Sequence, residues 1–318
     1  MSESGPLDIV ALGEAMIEFN QARADAPAAY LRGFGGDTSN MAIAAARLGA
    51  ATGYATRVGG DPFGRMLLDL WRAEGVDTGG VAIDEAAPTG VYFVTHGAQG
   101  HEFSYLRAGS AAARMTPATL PLTVLRAAKV LHVSAISQAI SATACDAVFA
   151  AIDVVRATGG RVAFDPNLRL KLWPLARARA VIVATMAQCD WFLPSLDEAR
   201  MLSGVDSPDA IIDWCHAQGA PVVALKCGAD GVRVSAGGRR LGIPAHRVAS
   251  VDATGAGDCF DGAFVARVVA GDDPFTAARF ANAAAALATT GYGAVAPLPR
   301  ERDVRSLLAS STTAAVGT

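Results

Sequence analysis

The sequence predicts an α/β fold: a mostly parallel sheet covered by helices, with a small β segment set apart from it. Three observations carry that prediction. Downstream of Lys129, short apolar runs alternate with helix-length stretches, the pattern of parallel βαβ units joined by right-handed crossovers. Between residues 81 and 108 the pattern changes to two strand-like runs around a glycine-containing turn, which reads as a β-hairpin partly outside the main body. The composition, 52% hydrophobic and 18% charged over 318 residues, suits a large buried core and excludes a disordered chain.

Taken in order, residues 8–13 (DIVALG) form the first strand, an apolar run closed by glycine. Asp37, Thr38 or Ser39 can cap a helix that starts near Asn40 and ends at Gly49. Residues 51–59 read as a strand, and Asp61-Pro62-Phe63-Gly64 opens a helix that runs to about Glu74. The hairpin pairs 91–95 with 102–107, its turn carrying Gly97 and Gly100. The strands KVLHVS, RVAFDPN, WFLPS and PVVALKCG then alternate with helices at 142–158, 176–187, 196–203 and 208–218. A hairpin at 231–236 and 239–243 and two helices at 257–270 and 274–288 complete the body. The stretch after about Leu308 reads as a frayed tail. No repeat or linker divides the chain, so one domain over 1–318 is expected.

Charge narrows the function. The net charge is −3 and no basic tract occurs, which argues against a nucleic-acid partner. No run of 18 apolar residues exists, which argues against a membrane span. The first residues lack the basic start and long apolar run of a secretory signal. The five cysteines show neither CxxC nor Cys/His metal spacing and read as reduced thiols of a cytoplasmic protein.

The chemistry concentrates in residues 251–264, VDATGAGDCFDGAF. Small residues let backbone N–H groups approach a ligand, and a helix N-terminus adds unpaired donors and a positive dipole end, which together make a phosphate site. Asp258 adds negative charge to that site. One reading makes it a general base taking a proton from a hydroxyl while Gly255, Ala256 and Gly257 hold a transferring phosphoryl group. The other makes it an ordinary N-cap above a tight turn. GxxxxGK[ST], a GxGxxG after the first strand and the protein-kinase motifs are all absent, which sets aside three familiar nucleotide-binding classes.

A second motif bears on the choice. Gly35-Gly36-Asp37-Thr38-Ser39-Asn40, followed by Arg57-Val58-Gly59-Gly60-Asp61-Pro62-Phe63-Gly64, resembles the N-terminal signature of the ribokinase-like (PfkB) carbohydrate kinases. DATGAGDCFDGAF resembles their C-terminal signature, and the resemblance spans residues 8 to about 305. It implies a three-layer α/β/α sandwich with a small β lid drawn from about 14–34 and 81–108, and ATP and Mg²⁺ as cofactors.

Within that family, 89–92, 105–111 and 165–169 resemble the substrate segments of members acting on 2-keto-3-deoxygluconate, an acid sugar. The resemblance implies that Gly35, Gly36, Asn40, Tyr92, Tyr105, Arg107, Asn167 and Arg169 hold the sugar, with Asp258 as the base on its primary hydroxyl. Arg107 and Arg169 suit the substrate carboxylate through bidentate pairing, although each alone reads equally as a solvated surface charge. The nucleotide falls to Asn167, Ser195, Lys226, Gly228, Gly231, Gly255, Gly257 and Asn282. Glu198 reaches Mg²⁺ through water, or simply favours the first turn of its helix. Two positions depart from the family pattern: Ser195 replaces an asparagine, and Ala253 leaves no expectation of a monovalent-cation site. Fructose, ribose, 5-keto-2-deoxygluconate and a nucleoside remain rival substrates, and a non-catalytic sugar sensor remains a rival class. A homodimer through the lid is the expected assembly.

Overall fold

The computed structural model describes residues 6–21, 29–97 and 100–316. The chain begins β1 (Leu7–Leu12), β2 (Met16–Gln21), β3 (Tyr30–Gly35), α1 (Asp37–Arg47), β4 (Thr52–Gly59), α2 (Pro62–Ala73) and β5 (Asp77–Asp84). It continues through β6 (Val91–Gly97), β7 (Gly100–Leu106), α3 (Leu122–Arg126), β8 (Ala128–Ser134), α4 (Ala135–Ala139), α5 (Ala142–Ala157), β9 (Arg161–Asp165) and α6 (Leu175–Met186). The last part comprises β10 (Trp191–Phe192), α7 (Leu196–Ser203), α8 (Pro208–Ala217), β11 (Val222–Lys226), β12 (Val232–Ala236), β13 (Arg239–Ile243), α9 (Ala256–Val269), α10 (Pro274–Ala288) and α11 (Glu301–Val316).

Nine strands form one sheet in the order β13-β12-β11-β10-β9-β8-β1-β4-β5, parallel except for the β11–β12 and β12–β13 pairs. Side chains alternate across it as a pleated strand requires. Along β1, Ile9 and Ala11 join the core under α1, α9 and α10, while Val10 and Leu12 join the core under α5 and α6. Helices therefore cover both faces, the three-layer α/β/α sandwich that the sequence predicts. A second sheet, β3-β2-β6-β7, is set apart as the small lid; its β2–β6 pair is parallel and its other pairs antiparallel.

Several expectations are corrected. Residues 81–84, assigned to the lid, belong to β5 and pair with β4 at the edge of the large sheet. Alternation in 77–84 is diluted by Gly79 and Gly80, which hides the strand from a periodicity reading. Residues 22–28 of the expected lid segment and the hairpin tip at 98–99 lie outside the described residues. The strand at 191–195 shrinks to two residues because Pro194 has no N–H to continue a ladder. Its carbonyl still accepts from the Lys226 N–H at 2.8 Å. The expected frayed tail is helix through Val316: residues 301–315 contain no glycine or proline, and the Arg300 N–H donates to Asp303 Oδ2 at 3.1 Å at its start. Helix α1 starts at Asp37, with Gly36 as its N-cap and no side-chain cap.

Candidate active site

A cavity of about 750 Å³ opens at the carboxyl ends of β1, β9, β10 and β11, between the large sheet and the lid. Open α/β sheets bind ligands at this edge. Two helices, α1 and α9, begin there. Neither has a side-chain cap; in α9 the Ala256 N–H donates to the Ala253 carbonyl at 3.1 Å, and Gly255 and Gly257 on either side of it line the cavity.

Asp258 is the third residue of α9, not its cap. The N-cap is Gly255, held at φ 76°. Asp252 ties down the loop before the helix, accepting from the Thr254 N–H at 2.9 Å, the Thr254 hydroxyl at 2.6 Å and the Gly293 N–H at 2.9 Å. The capping alternative for Asp258 therefore fails. Its carboxylate instead accepts from Asn40 Nδ2 at 2.8 Å, a contact that joins the two motifs across 218 residues of sequence. Burial, and then the Asp37 carboxylate, push the Asp258 carboxyl up to about 7, against the Asn40 hydrogen bond that favours its charged form.

The cavity brings together most of the residues singled out from the sequence. Gly35, Gly36, Asn40, Tyr92, Tyr105, Arg107, Asn167, Arg169, Ser195, Glu198, Lys226, Gly228, Gly255, Gly257 and Asp258 all line it. Ala256, Gly231 and Asn282 do not. Asn282 is buried and donates to the Pro244 carbonyl at 2.7 Å, and the Gly231 carbonyl accepts from the Cys227 N–H at 2.7 Å.

Four assigned residues have partners within the chain. Arg107 forms an ion pair with the fully buried Glu14, which also accepts from the Ser110 hydroxyl at 2.5 Å. Arg107 is thus already neutralised within the chain. Arg169 is half exposed, and its Nη1 donates to the Leu168 carbonyl at 3.0 Å and lies 3.4 Å from Glu198. Lys226 is directed inward, with Nζ at 3.1 Å from Asp165 and 3.0 Å from Asp261, and these carboxylates keep its ammonium charged despite burial. Glu198 closes a capping box with Ser195, its carboxylate accepting from the Ser195 N–H at 3.3 Å and the Leu168 N–H at 3.1 Å.

Sequence reasoning left out Glu14, Glu18 and Asp261 and treated Asp37 as a helix cap. Their signal was an acid at the end of, or inside, an otherwise apolar run, as in GEAMIEF and CFDGAFV. A buried acid needs a partner, and these have them. Asn167 donates from Nδ2 to Asp37 at 3.0 Å, with its own backbone at φ 26°. Among the described residues no cluster of three His, Cys, Asp or Glu side chains forms a metal cage.

A sandwich of this topology, with an uncapped helix N-terminus beside a buried carboxylate in a cavity at the ends of its parallel strands, holds the parts that phosphoryl transfer to an alcohol requires. The chain belongs to the pfkB family of carbohydrate kinases, whose model matches residues 6–301. It is 36% identical to fructokinase-1 of Oryza sativa subsp. japonica over 95% of this chain and 98% of that protein. It is 35% identical to 2-dehydro-3-deoxygluconokinase of Thermoproteus tenax over 95% of this chain and 94% of that one. The crystal structure of a candidate ribokinase II from E. coli in complex with ATP and Mg²⁺ superposes with a TM-score of 0.88 at 26% identity, covering 96% and 99% of the two chains.

Proposed function

We propose that this sugar kinase transfers the γ-phosphoryl group of ATP to the primary hydroxyl of 2-keto-3-deoxygluconate. The observation that carries the reading is the pairing, in one cavity, of Asp258 beside the uncapped start of α9 with the half-exposed guanidinium of Arg169. Asp258 takes the hydroxyl proton. The N–H groups of Gly255 and Gly257 stabilise the charge on the phosphoryl group in transfer, while Ala256, whose N–H donates to the Ala253 carbonyl, holds the turn between them. Arg169, whose hydrogen bonds within the described residues come from Nη1 alone, offers the rest of its planar fork to the substrate carboxylate. Gly35, Gly36, Asn40, Tyr92, Tyr105 and Asn167 surround the sugar. Arg107 acts on it only through its pair with Glu14.

Ser195 and Gly228 lie on the nucleotide side, and Lys226 serves as an internal counter-ion there. Gly231 and Asn282 support the nucleotide loop from outside the cavity. Mg²⁺ favours oxygen ligands and retains waters; the Glu198 and Asp165 carboxylates on the cavity wall fit an ion held through water and triphosphate oxygens. Such an ion would offset the charge of the transferring group. The relative from T. tenax named for this acid sugar supports the substrate assignment, and the E. coli structure with ATP and Mg²⁺ supports the cofactors. The five free cysteines fit a reducing cytoplasm, and the exposed Leu31 and Leu106 of the lid fit a second copy of the chain.

A neutral ketose is the second reading, favoured by the Arg107–Glu14 pair, which leaves one fewer free cation for a carboxylate. ADP release with ATP and Mg²⁺ against 2-keto-3-deoxygluconate, fructose, ribose and adenosine separates the two. The acid sugar should give the highest kcat/KM. Asp258→Asn should lower kcat by about 10²–10⁴-fold, the range for a general base. Arg169→Met should raise KM for the acid sugar and leave the neutral sugars unaffected. A preference for fructose, or indifference to Arg169→Met, would overturn the acid-sugar reading.

A further inference from the structure

The structure assigns Glu18 as a positioning residue that turns the Tyr92 hydroxyl into a hydrogen-bond acceptor toward the sugar. Glu18 on β2 and Tyr92 on β6 are register partners in the lid, and the Tyr92 hydroxyl donates to Glu18 Oε2 at 2.5 Å. A phenol has one proton to donate and two lone pairs. With the proton directed at Glu18, what remains for the cavity is acceptor capacity, which matches a substrate hydroxyl and mismatches a carbonyl or carboxylate.

The surroundings are built around this pair. Gly33, opposite Glu18 on β3, could not gain a Cβ without placing it 2.8 Å from Glu18 Oε1, and a Cβ at Gly35 would fall 2.4 Å from the Tyr92 hydroxyl oxygen. The Tyr92 ring is fixed by stacking on Tyr105, with centroids 5.7 Å apart and planes 28° from parallel. Glu18 is buried, and burial with the adjacent carboxylate holds the Tyr92 phenol in its protonated form. Glu18 does not line the cavity, whereas Tyr92 does, so Glu18 acts on the substrate through Tyr92.

This inference rests on the sugar-kinase cavity described above, and its test uses whichever sugar of the panel the wild type turns over best. A preference for fructose would therefore overturn the acid-sugar reading while leaving this test intact. Glu18→Gln, whose amide can donate to the phenol and reverse its polarity, should raise KM for the sugar about tenfold and more than it lowers kcat, with KM for ATP changed less than about twofold. Tyr92→Phe keeps the ring stack and should reproduce the pattern, which also covers the case that Glu18→Gln folds poorly. In the double variant the sugar KM should match that of Tyr92→Phe alone, because the two residues act as one unit. Effects that multiply in the double variant, or a Tyr92→Phe enzyme with unchanged sugar KM, would overturn the assignment.

Discussion

Asp258 illustrates how a single residue acquires its chemistry from its neighbours. A carboxylate in water titrates near 4 and is a weak base at neutral pH. Burial, reinforced by the Asp37 carboxylate, brings this one to about 7, where a general base is most effective. Only the deprotonated form accepts the substrate proton, so the sign of the pH dependence is fixed. The kcat/KM profile should be level above pH 7 and fall toward tenfold per unit below it. Asp37→Asn removes the carboxylate that ranks after burial in raising Asp258, while its side-chain oxygen can still accept from Asn167 Nδ2. The acidic limb should then move to lower pH. A limb that stays in place in Asp37→Asn, or that lies near pH 4 in the wild type, would show that Asp258 is not the group titrating in catalysis.

At the scale of the element, the start of α9 works because Gly255 adopts a conformation that other residues resist. Its φ of 76° is left-handed, and a Cβ added there would lie 3.0 Å from the Ala294 backbone. Gly255→Ala should cost roughly 1–2 kcal/mol of stability for the left-handed conformation alone. It should also lower kcat, because relieving the contact rotates the first-turn N–H groups away from the cavity. Denaturant unfolding and steady-state kinetics read the two effects separately. This element was legible in the sequence, since four consecutive small residues before an apolar helix have few structural reasons to coexist. The ion pairs around it were not. Glu14 meets Arg107 across 93 positions, and Lys226 meets Asp165 and Asp261 across 61 and 35; such partners are set by sheet order, which a local pattern does not encode. Arg107 was assigned to the substrate carboxylate, and Lys226 to the nucleotide, without these partners in view. Strand β5 was missed for the converse reason, since its glycines erase a local signal that the sheet edge then supplies.

The whole molecule combines a body with two large cores and a lid with little core of its own. Helices bury both faces of the nine-stranded sheet, whereas among the described residues the buried cluster confined to the lid is Met16, Tyr92 and Val94. The lid is anchored on one side, where Ile17 is fully buried and Phe19 packs edge-on against Phe63 of α2 at 5.9 Å. Its outer strands lack that support: Leu31 on β3 is 64% exposed and Leu106 on β7 is 65% exposed. Local opening free energy follows buried apolar contact, so the two sheets should open separately. In hydrogen–deuterium exchange without ligands, amides of β3 and β7 should exchange first, those of β2 and β6 later, and those of β1 and β8 last. Tyr105 on β7 lines the cavity, so a bound sugar couples that strand to the body. Adding sugar with a non-hydrolysable ATP analogue should therefore slow exchange most in β7, while β1 and β8, already at the global limit, change little. Uniform slowing across both sheets would mean that ligand stabilises one cooperative unit, and the lid would then have no independent closing motion with which to exclude water from the transfer.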